Sequence, residues 1–250
     1  MASHGLIVVA LRNFWWGILR MRLVLLPGMD GTGELFRDFV AALPEGFETE
    51  VVRYPTDAGT SYAELMPLVL AHLPAEEPYV LLAESFSTPL AIAIAAKNAS
   101  NLKALVLCAG FATSPVKGWL YDLTSVLPLR RLHMRFPEFV ARTFLVGSDA
   151  PAPLVTRVGA EISWVEPEVL AARVRAVLSC DVRVEFAEVR VPIQYLRAAE
   201  DKLVSLDCLE EMLVFQPEMV VATIDGPHLL LQREPEFTAG VVAGFVMGLG

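Results

Sequence analysis

Short continuous apolar runs alternate with segments of helical spacing along most of this chain. Leu23–Leu26, Phe47–Tyr54, Tyr79–Ala83, Lys103–Cys108, Ile193–Ala198 and Met219–Ile224 have the length and apolar content of buried strands. Glu34–Leu43, Tyr62–Leu73 (with Ser61 as its N-cap), Phe86–Lys97, Leu206–Val214 and Glu236–Met247 have the spacing of helices. Apolar strands separated by helices predict an α/β protein. Its core is a mostly parallel central sheet of about six strands, covered by helices on both faces. In such a sheet the loops after the strands gather along one edge, so residues far apart in sequence can meet there.

Two stretches break the alternation. From 113 to 183 the pattern becomes a series of amphipathic pieces, Lys117–Leu127, Pro137–Val146, Pro151–Ile162 and Pro167–Leu178, punctuated by prolines. This predicts a helical cap inserted after the fourth strand into a core made of residues 21–112 and 184–250. The cap's apolar faces carry Trp119, Tyr121, Leu123, Phe136, Phe139, Phe144 and Trp164, and apolar residues at helical spacing are most often packing. The second stretch is residues 1–20. Arg12 and Asn13 interrupt its apolar run after too few residues to cross a bilayer. With no basic n-region, it reads as an N-terminal appendage rather than a signal peptide. The expectation is that the domain folds and works without it.

Composition narrows the classes. At 250 residues the chain suits one α/β domain with an insertion. With 54% hydrophobic and 20% charged residues it has ample apolar surface for a core. A net charge of −9 argues against nucleic acid or anionic membrane as a main partner, and no stable membrane insertion is expected. Cys108, Cys180 and Cys208 are odd in number and lack CxxC spacing. That predicts reduced thiols in a cytoplasmic protein and no zinc site.

The chemistry starts at Ser85. In YVLLAESFSTPLA (Tyr79–Ala91) an apolar run ends at a serine between small residues, and an alanine-rich helix follows. A strand, a tight turn and a helix with a hydroxyl at the apex push a nucleophile out of the backbone. The helix start also aims its amides and positive dipole end at the reaction centre. Taken alone, Ser85 reads equally well as a helix N-cap. Downstream, VPIQYLRAAEDKLVS (Val191–Ser205) places Asp201 in the loop after a strand, and VVATIDGPHLLLQREPEF (Val220–Phe237) places His228 in another. A serine hydroxyl needs a base, and the base an orienting group.

With Ser, Asp and His in that order, the chain from Met21 onward resembles the α/β-hydrolase superfamily, of the serine esterase and lipase type. LVLLPGMDGTG looks like that family's oxyanion loop, and DGPHLLLQREPEF like its histidine loop and last helix. The resemblance implies Ser85 as nucleophile, His228 as general base and Asp201 as the residue that orients the imidazole. It implies an oxyanion hole made by the backbone N–H groups of Met29 and Phe86. One motif departs from the family: the usual G-x-S-x-G elbow is Ala83-Glu84-Ser85-Phe86-Ser87 here. Alanine and serine are still small enough for strand and helix to approach. Glu84 reads chiefly as a structural salt-bridge partner, and Asp30 as an acid that orders its own loop.

The function this implies is hydrolysis of small-molecule carboxylic esters with small to medium acyl chains, without metal or cofactor, through an acyl-enzyme on Ser85. Two alternatives stay open. An acyltransferase or thioesterase would use the same triad, and LPGMDGTG also resembles the opening of some plant plastid acyltransferases. A non-catalytic small-molecule binding protein could share the fold.

Overall fold

The computed structural model describes residues 22–58, 61–116 and 137–249. The expectations for residues 1–20, for Lys117–Leu127 and for Trp119, Tyr121, Leu123 and Phe136 lie outside the described residues.

Six strands form one sheet: β1 (Arg22–Leu26), β2 (Glu48–Val51), β3 (Tyr79–Glu84), β4 (Leu102–Cys108), β5 (Ile193–Ala198) and β6 (Val220–Ile224). Their order is β2-β1-β3-β4-β5-β6, and every pairing is parallel. The burial of each strand follows from its place. All six residues of central β3 are buried, whereas edge strands β2 and β6 keep exposed or half-exposed positions. A strand covered on both faces has no polar side to spare, which is why VLLA reads as an unbroken apolar run.

Helices cover both faces. On one lie α2 (Tyr62–His72), α3 (Thr88–Ala95), α7 (Arg183–Glu188) and α8 (Leu206–Phe215). Their Leu65, Val69, Leu90, Phe186 and Met212 pack with Leu81, Leu105 and Tyr195 of the sheet. On the other lie α1 (Arg37–Ala42), α9 (Leu230–Arg233) and α10 (Pro235–Met247). Phe39, Leu231, Val242 and Val246 there pack against Leu23, Leu25, Val80 and Val106. The Ser61 hydroxyl accepts from the Glu64 amide at the start of α2, so the expected N-cap is present.

Between β4 and β5 the described residues form α4 (Glu138–Val140) running into a π-helical turn, Ala141–Leu145. After it come α5 (Ala152–Ser163) and α6 (Pro167–Leu178). Ala141, Val146, Leu154, Val155 and Val158 make a separate apolar cluster with Leu35 and Leu229. These helices therefore sit over the loops that follow β1 and β6. Phe139 and Trp164 are exposed, so neither supplies packing among the described residues.

Order reversal defines the crevice. β1 lies between β2 and β3, so the chain leaves it in opposite directions along the sheet. Loops that follow strands at such a switch point border an open crevice. The Gly-rich loop after β1 and the turn after β3 are the two loops at that position.

Candidate active site

Ser85 sits at the apex of the turn that links β3 to α3, with φ of 49°. This left-handed backbone is strained for any residue with a Cβ, and such strain persists only where the surroundings fix it. They do so here from two sides. The Thr88 hydroxyl donates to the Ser85 carbonyl at 2.8 Å, and the Phe111 amide donates to the Thr88 hydroxyl at 3.1 Å. Gly110 is what lets the β4 loop come so near: a Cβ there would lie 2.6 Å from Thr88 Cγ2.

Ser87 stands where a G-x-S-x-G elbow has its second glycine, and its role exceeds small size. Its hydroxyl donates to the Pro27 carbonyl, while the Tyr54 hydroxyl donates to Ser87 Oγ at 2.6 Å. The elbow is thereby bonded to the loop after β1.

Asp201, His228 and Ser85 meet at the strand ends. Ser85 Oγ lies 2.8 Å from His228 Nε2, and His228 Nδ1 lies 2.8 Å from Asp201 Oδ2. Because a carboxylate only accepts, the proton between the last pair belongs to Nδ1. That leaves Nε2 as the acceptor for the seryl O–H. Asp201 Oδ1 accepts from the amides of Leu203 and Val204 at 2.8 and 2.9 Å, which fixes the carboxylate plane. The side chains of His228 and Asp201 are each only 5% exposed. Two backbone bonds hold the histidine loop. Glu200 N–H donates to Gly226 O, and Leu229 N–H donates to Leu145 O at the end of the π-helical turn.

Met29 lines the crevice beside Ser85, together with Gly28 and Asp30. Phe86 follows Ser85 directly with its ring buried, 5.0 Å from the ring of Tyr62. The amide of Phe86 opens a helical turn, so no carbonyl within the turn claims it. Asp30 behaves as the sequence implies: its carboxyl accepts from the Thr32 amide at 3.0 Å and the Thr32 hydroxyl at 2.8 Å, ordering its own loop. Burial pushes its pKa upward.

Glu84 differs from expectation. It forms no salt bridge with any described residue. It is 1% exposed as the last residue of β3, and its carboxylate accepts from Gln232 Nε2 at 3.2 Å. Burial, with the negative charge of Asp30 adding to it, pushes the Glu84 pKa up to about 7. The elbow position looked polar, but strand alternation ends too late to expose it.

The linkage has a definite sign. Between about pH 4.5 and 7 the folded chain keeps a proton on Glu84 that the unfolded chain releases. The stability this confers is complete below that window, falls as pH rises through it, and is absent above. Glu84→Gln mimics the protonated form without titrating. Denaturant unfolding should therefore show the variant gaining on the parent between pH 5 and 8, by up to about 3 kcal/mol. A stability difference that stays flat across those pH values would mean that Glu84 titrates alike in both states.

Above Ser85 and His228 lies a cavity of about 330 Å3. Its floor and near wall are Ser85, His228 and the loop Gly28–Asp30. Val140, Phe144, Leu145, Val158, Ile162 and Leu170 line it from α4, the π-helical turn, α5 and α6. In sequence these residues fall within the amphipathic pieces Pro137–Val146, Pro151–Ile162 and Pro167–Leu178, whose spacing does not tell cavity lining from packing. Arg173 of α6 is a buried residue of the site region that the sequence alone does not single out. Among the described residues, no group of three or more His, Cys, Asp or Glu side chains is placed to hold a metal ion. No described helix is long and apolar enough to cross a membrane.

The chain has the α/β-hydrolase fold. Comparison with solved structures carries this. A hydrolase from Oleispira antarctica superposes with a TM-score of 0.76 at 14% identity over 90% of each chain. A lipase-esterase related protein from Clostridium acetobutylicum gives 0.73 at 14%, over 90% of this chain and 93% of that one. The enol-lactonase from Burkholderia xenovorans gives 0.70 at 18% over 91% of each. No family model matches the sequence. Among curated proteins, phytyl ester synthase 1 of Arabidopsis thaliana chloroplasts is 30% identical over 131 residues, which is 50% of this chain and 18% of that protein.

Proposed function

We propose that the protein is a serine hydrolase that cleaves carboxylic esters of hydrophobic acyl groups through an acyl-enzyme on Ser85. The observation that carries this is the unbroken chain of hydrogen bonds from Asp201 through His228 to Ser85, ending beneath an apolar cavity. In this reading Ser85 Oγ attacks the ester carbonyl carbon while its proton passes to His228 Nε2. Asp201 stabilises the imidazolium. The carbonyl oxygen, now an anion, is received by the amides of Met29 and Phe86. Collapse of the tetrahedral adduct breaks the ester C–O bond, and His228 returns its proton to the departing alkoxide. Water then repeats the sequence on the acyl-enzyme and releases the acid. The residues 137–178 serve as a cap that holds the acyl chain.

The cavity suggests the acyl size. At about 30 Å3 for each water-sized unit, it has room for roughly ten non-hydrogen atoms. p-Nitrophenyl esters from acetate to decanoate should be hydrolysed best at medium chain length, with a fluorophosphonate labelling Ser85 at one per chain. A protein that turns over none of them and takes no label is better read as a binding protein.

The cavity wall gives a sharper expectation. Val158 is fully buried on α5 and faces the cavity. Val158→Phe should lower kcat/KM for the octanoate ester about tenfold relative to the acetate ester, since a methylene or two of lost fit is worth that much. Equal losses on both esters would place the acyl chain elsewhere.

A second reading is transfer of the acyl group to an alcohol instead of water. The 131-residue similarity to phytyl ester synthase 1 favours it. Partitioning of a labelled acyl donor between water and a long-chain alcohol decides between them.

A further inference from the structure

Arg173 is a full-length cation with no exposure to solvent, 0% for the whole residue, on a helix otherwise patterned as apolar on one side and polar on the other. Its guanidinium does not point into the cavity. Nη1 donates to the Met29 carbonyl at 2.9 Å and the Asp30 carbonyl at 3.2 Å, and Nη2 donates to the Pro55 carbonyl at 2.7 Å. Cζ lies 5.7 Å from the centre of the Tyr54 ring and 5.9 Å from that of Phe86. One side chain thus touches both residues whose amides are assigned to the oxyanion hole, Met29 through its carbonyl and Phe86 through its ring.

We infer that Arg173 is a positioning residue for the oxyanion hole: its planar fork clamps the loop Gly28–Gly31 so that the Met29 amide faces the same point as that of Phe86. This rests on the serine-hydrolase reading. Three features carry it beyond simple anchoring of α6. First, the carbonyls of two successive residues, Met29 and Asp30, bond to one nitrogen, and this restrains the backbone torsion between them at the loop's turning point. A lysine could not reproduce that fork geometry together with a bond to Pro55. Second, the loop is shaped around the guanidinium. Gly31 has φ of 74°, and a Cβ there would sit 2.7 Å from Arg173 Nη1. Third, the clamp closes a circuit. Gly31 O accepts from Tyr54 N–H, the Tyr54 hydroxyl donates to Ser87, and Ser87 donates to Pro27 at the start of the same loop. Loop, elbow and cap helix are therefore one hydrogen-bonded unit, and a cation was placed in its centre despite the desolvation that burial imposes.

The test compares Arg173→Lys and Arg173→Met with the parent, each at a temperature where circular dichroism finds it folded. Rates are normalised to sites counted by fluorophosphonate titration. Arg173→Met should lose about a hundredfold in kcat on p-nitrophenyl butyrate, approaching the effect of losing one oxyanion donor, with KM within about twofold. Arg173→Lys should fall between. Affinity for an alkyl trifluoromethyl ketone, whose Ser85 adduct carries the oxyanion, should weaken by the same factor as kcat/KM. A purely structural role would lower the number of titratable sites and leave kcat per site and ketone affinity unchanged; that result overturns the inference. If Arg173→Met does not fold, the lysine variant alone decides, by whether its ketone affinity and kcat fall together. A parent protein that neither cleaves the ester nor takes the label removes the serine-hydrolase reading itself, and this inference with it.

Discussion

Ser85→Ala is expected to lower kcat on p-nitrophenyl butyrate by roughly a million-fold, which is what loss of an activated nucleophile costs in enzymes of this constellation. The reason is local. Ser85 Oγ is the atom within hydrogen-bond distance of His228 Nε2 at the cavity floor, and removing it leaves the histidine with nothing to deprotonate. Binding should be spared, because the cavity walls are untouched and KM or inhibitor affinity reports on them. The same position makes a second, opposite forecast about stability. With φ of 49°, Ser85 occupies a backbone region that costs a residue bearing a Cβ about 1–2 kcal/mol. Glycine escapes that cost but adds about 0.5–1 kcal/mol of chain entropy to folding. Ser85→Gly should therefore be inactive and yet more stable than Ser85→Ala, by up to about 1 kcal/mol in denaturant unfolding. Retained turnover in Ser85→Ala would move the chemistry to another residue. Equal stability of the two variants would mean that the turn relaxes in the absence of the hydroxyl.

These residues were legible in sequence for one physical reason: each follows a strand buried on both faces or bordering the core. A buried parallel strand announces itself as an apolar run, and its abrupt end marks the loop at the crevice. VLLAES, AAED and IDGPH all have that form. The four inner strands are visible for the same reason, while edge strands β2 and β6 keep exposed positions and show a weaker apolar pattern. What stayed hidden depends on distance rather than pattern. Arg173 lies in AARVRAV, four residues from Val169 and from Val177 on the packed side of α6, whereas Arg175 is exposed; that spacing names no partner for the cation. Its partners are 118 to 144 residues away. Ser87 is visibly small in the sequence, but its bond to Pro27 exists only once β1 and β3 are neighbours. Glu84 departs from the salt-bridge expectation because an acid beside a turn usually reaches solvent or a cation, whereas here the last residue of β3 is enclosed by Gln232 and the loop of Asp30. The helices Arg183–Glu188 and Leu230–Arg233 are too short to display a helical period at all.

Asp201→Asn should reduce kcat about ten-thousand-fold while leaving the fold intact, and the hydrogen bonds of Asp201 explain why so small a change does so much. Its Oδ1 accepts from two backbone amides, Leu203 and Val204. In the asparagine variant those two donors require an acceptor, so the amide oxygen must take that side. The NH2 group is then left facing His228 Nδ1, 2.8 Å from the present Oδ2. A donor there forces Nδ1 to accept, which shifts the ring proton to Nε2. That nitrogen then donates toward Ser85 and can no longer take its proton. Asp201→Ala is the informative contrast. It frees the imidazole to adopt either tautomer but strands the part-buried Val204 amide, at about 1–3 kcal/mol, while the exposed Leu203 amide can turn to water. The asparagine variant should accordingly be the more stable and the less active of the two. Measured kcat and denaturant unfolding on both variants check the pair of orderings together. An asparagine variant more active than the alanine variant would exclude the tautomer argument, because it would show the imidazole accepting a proton with an amide donor still beside it.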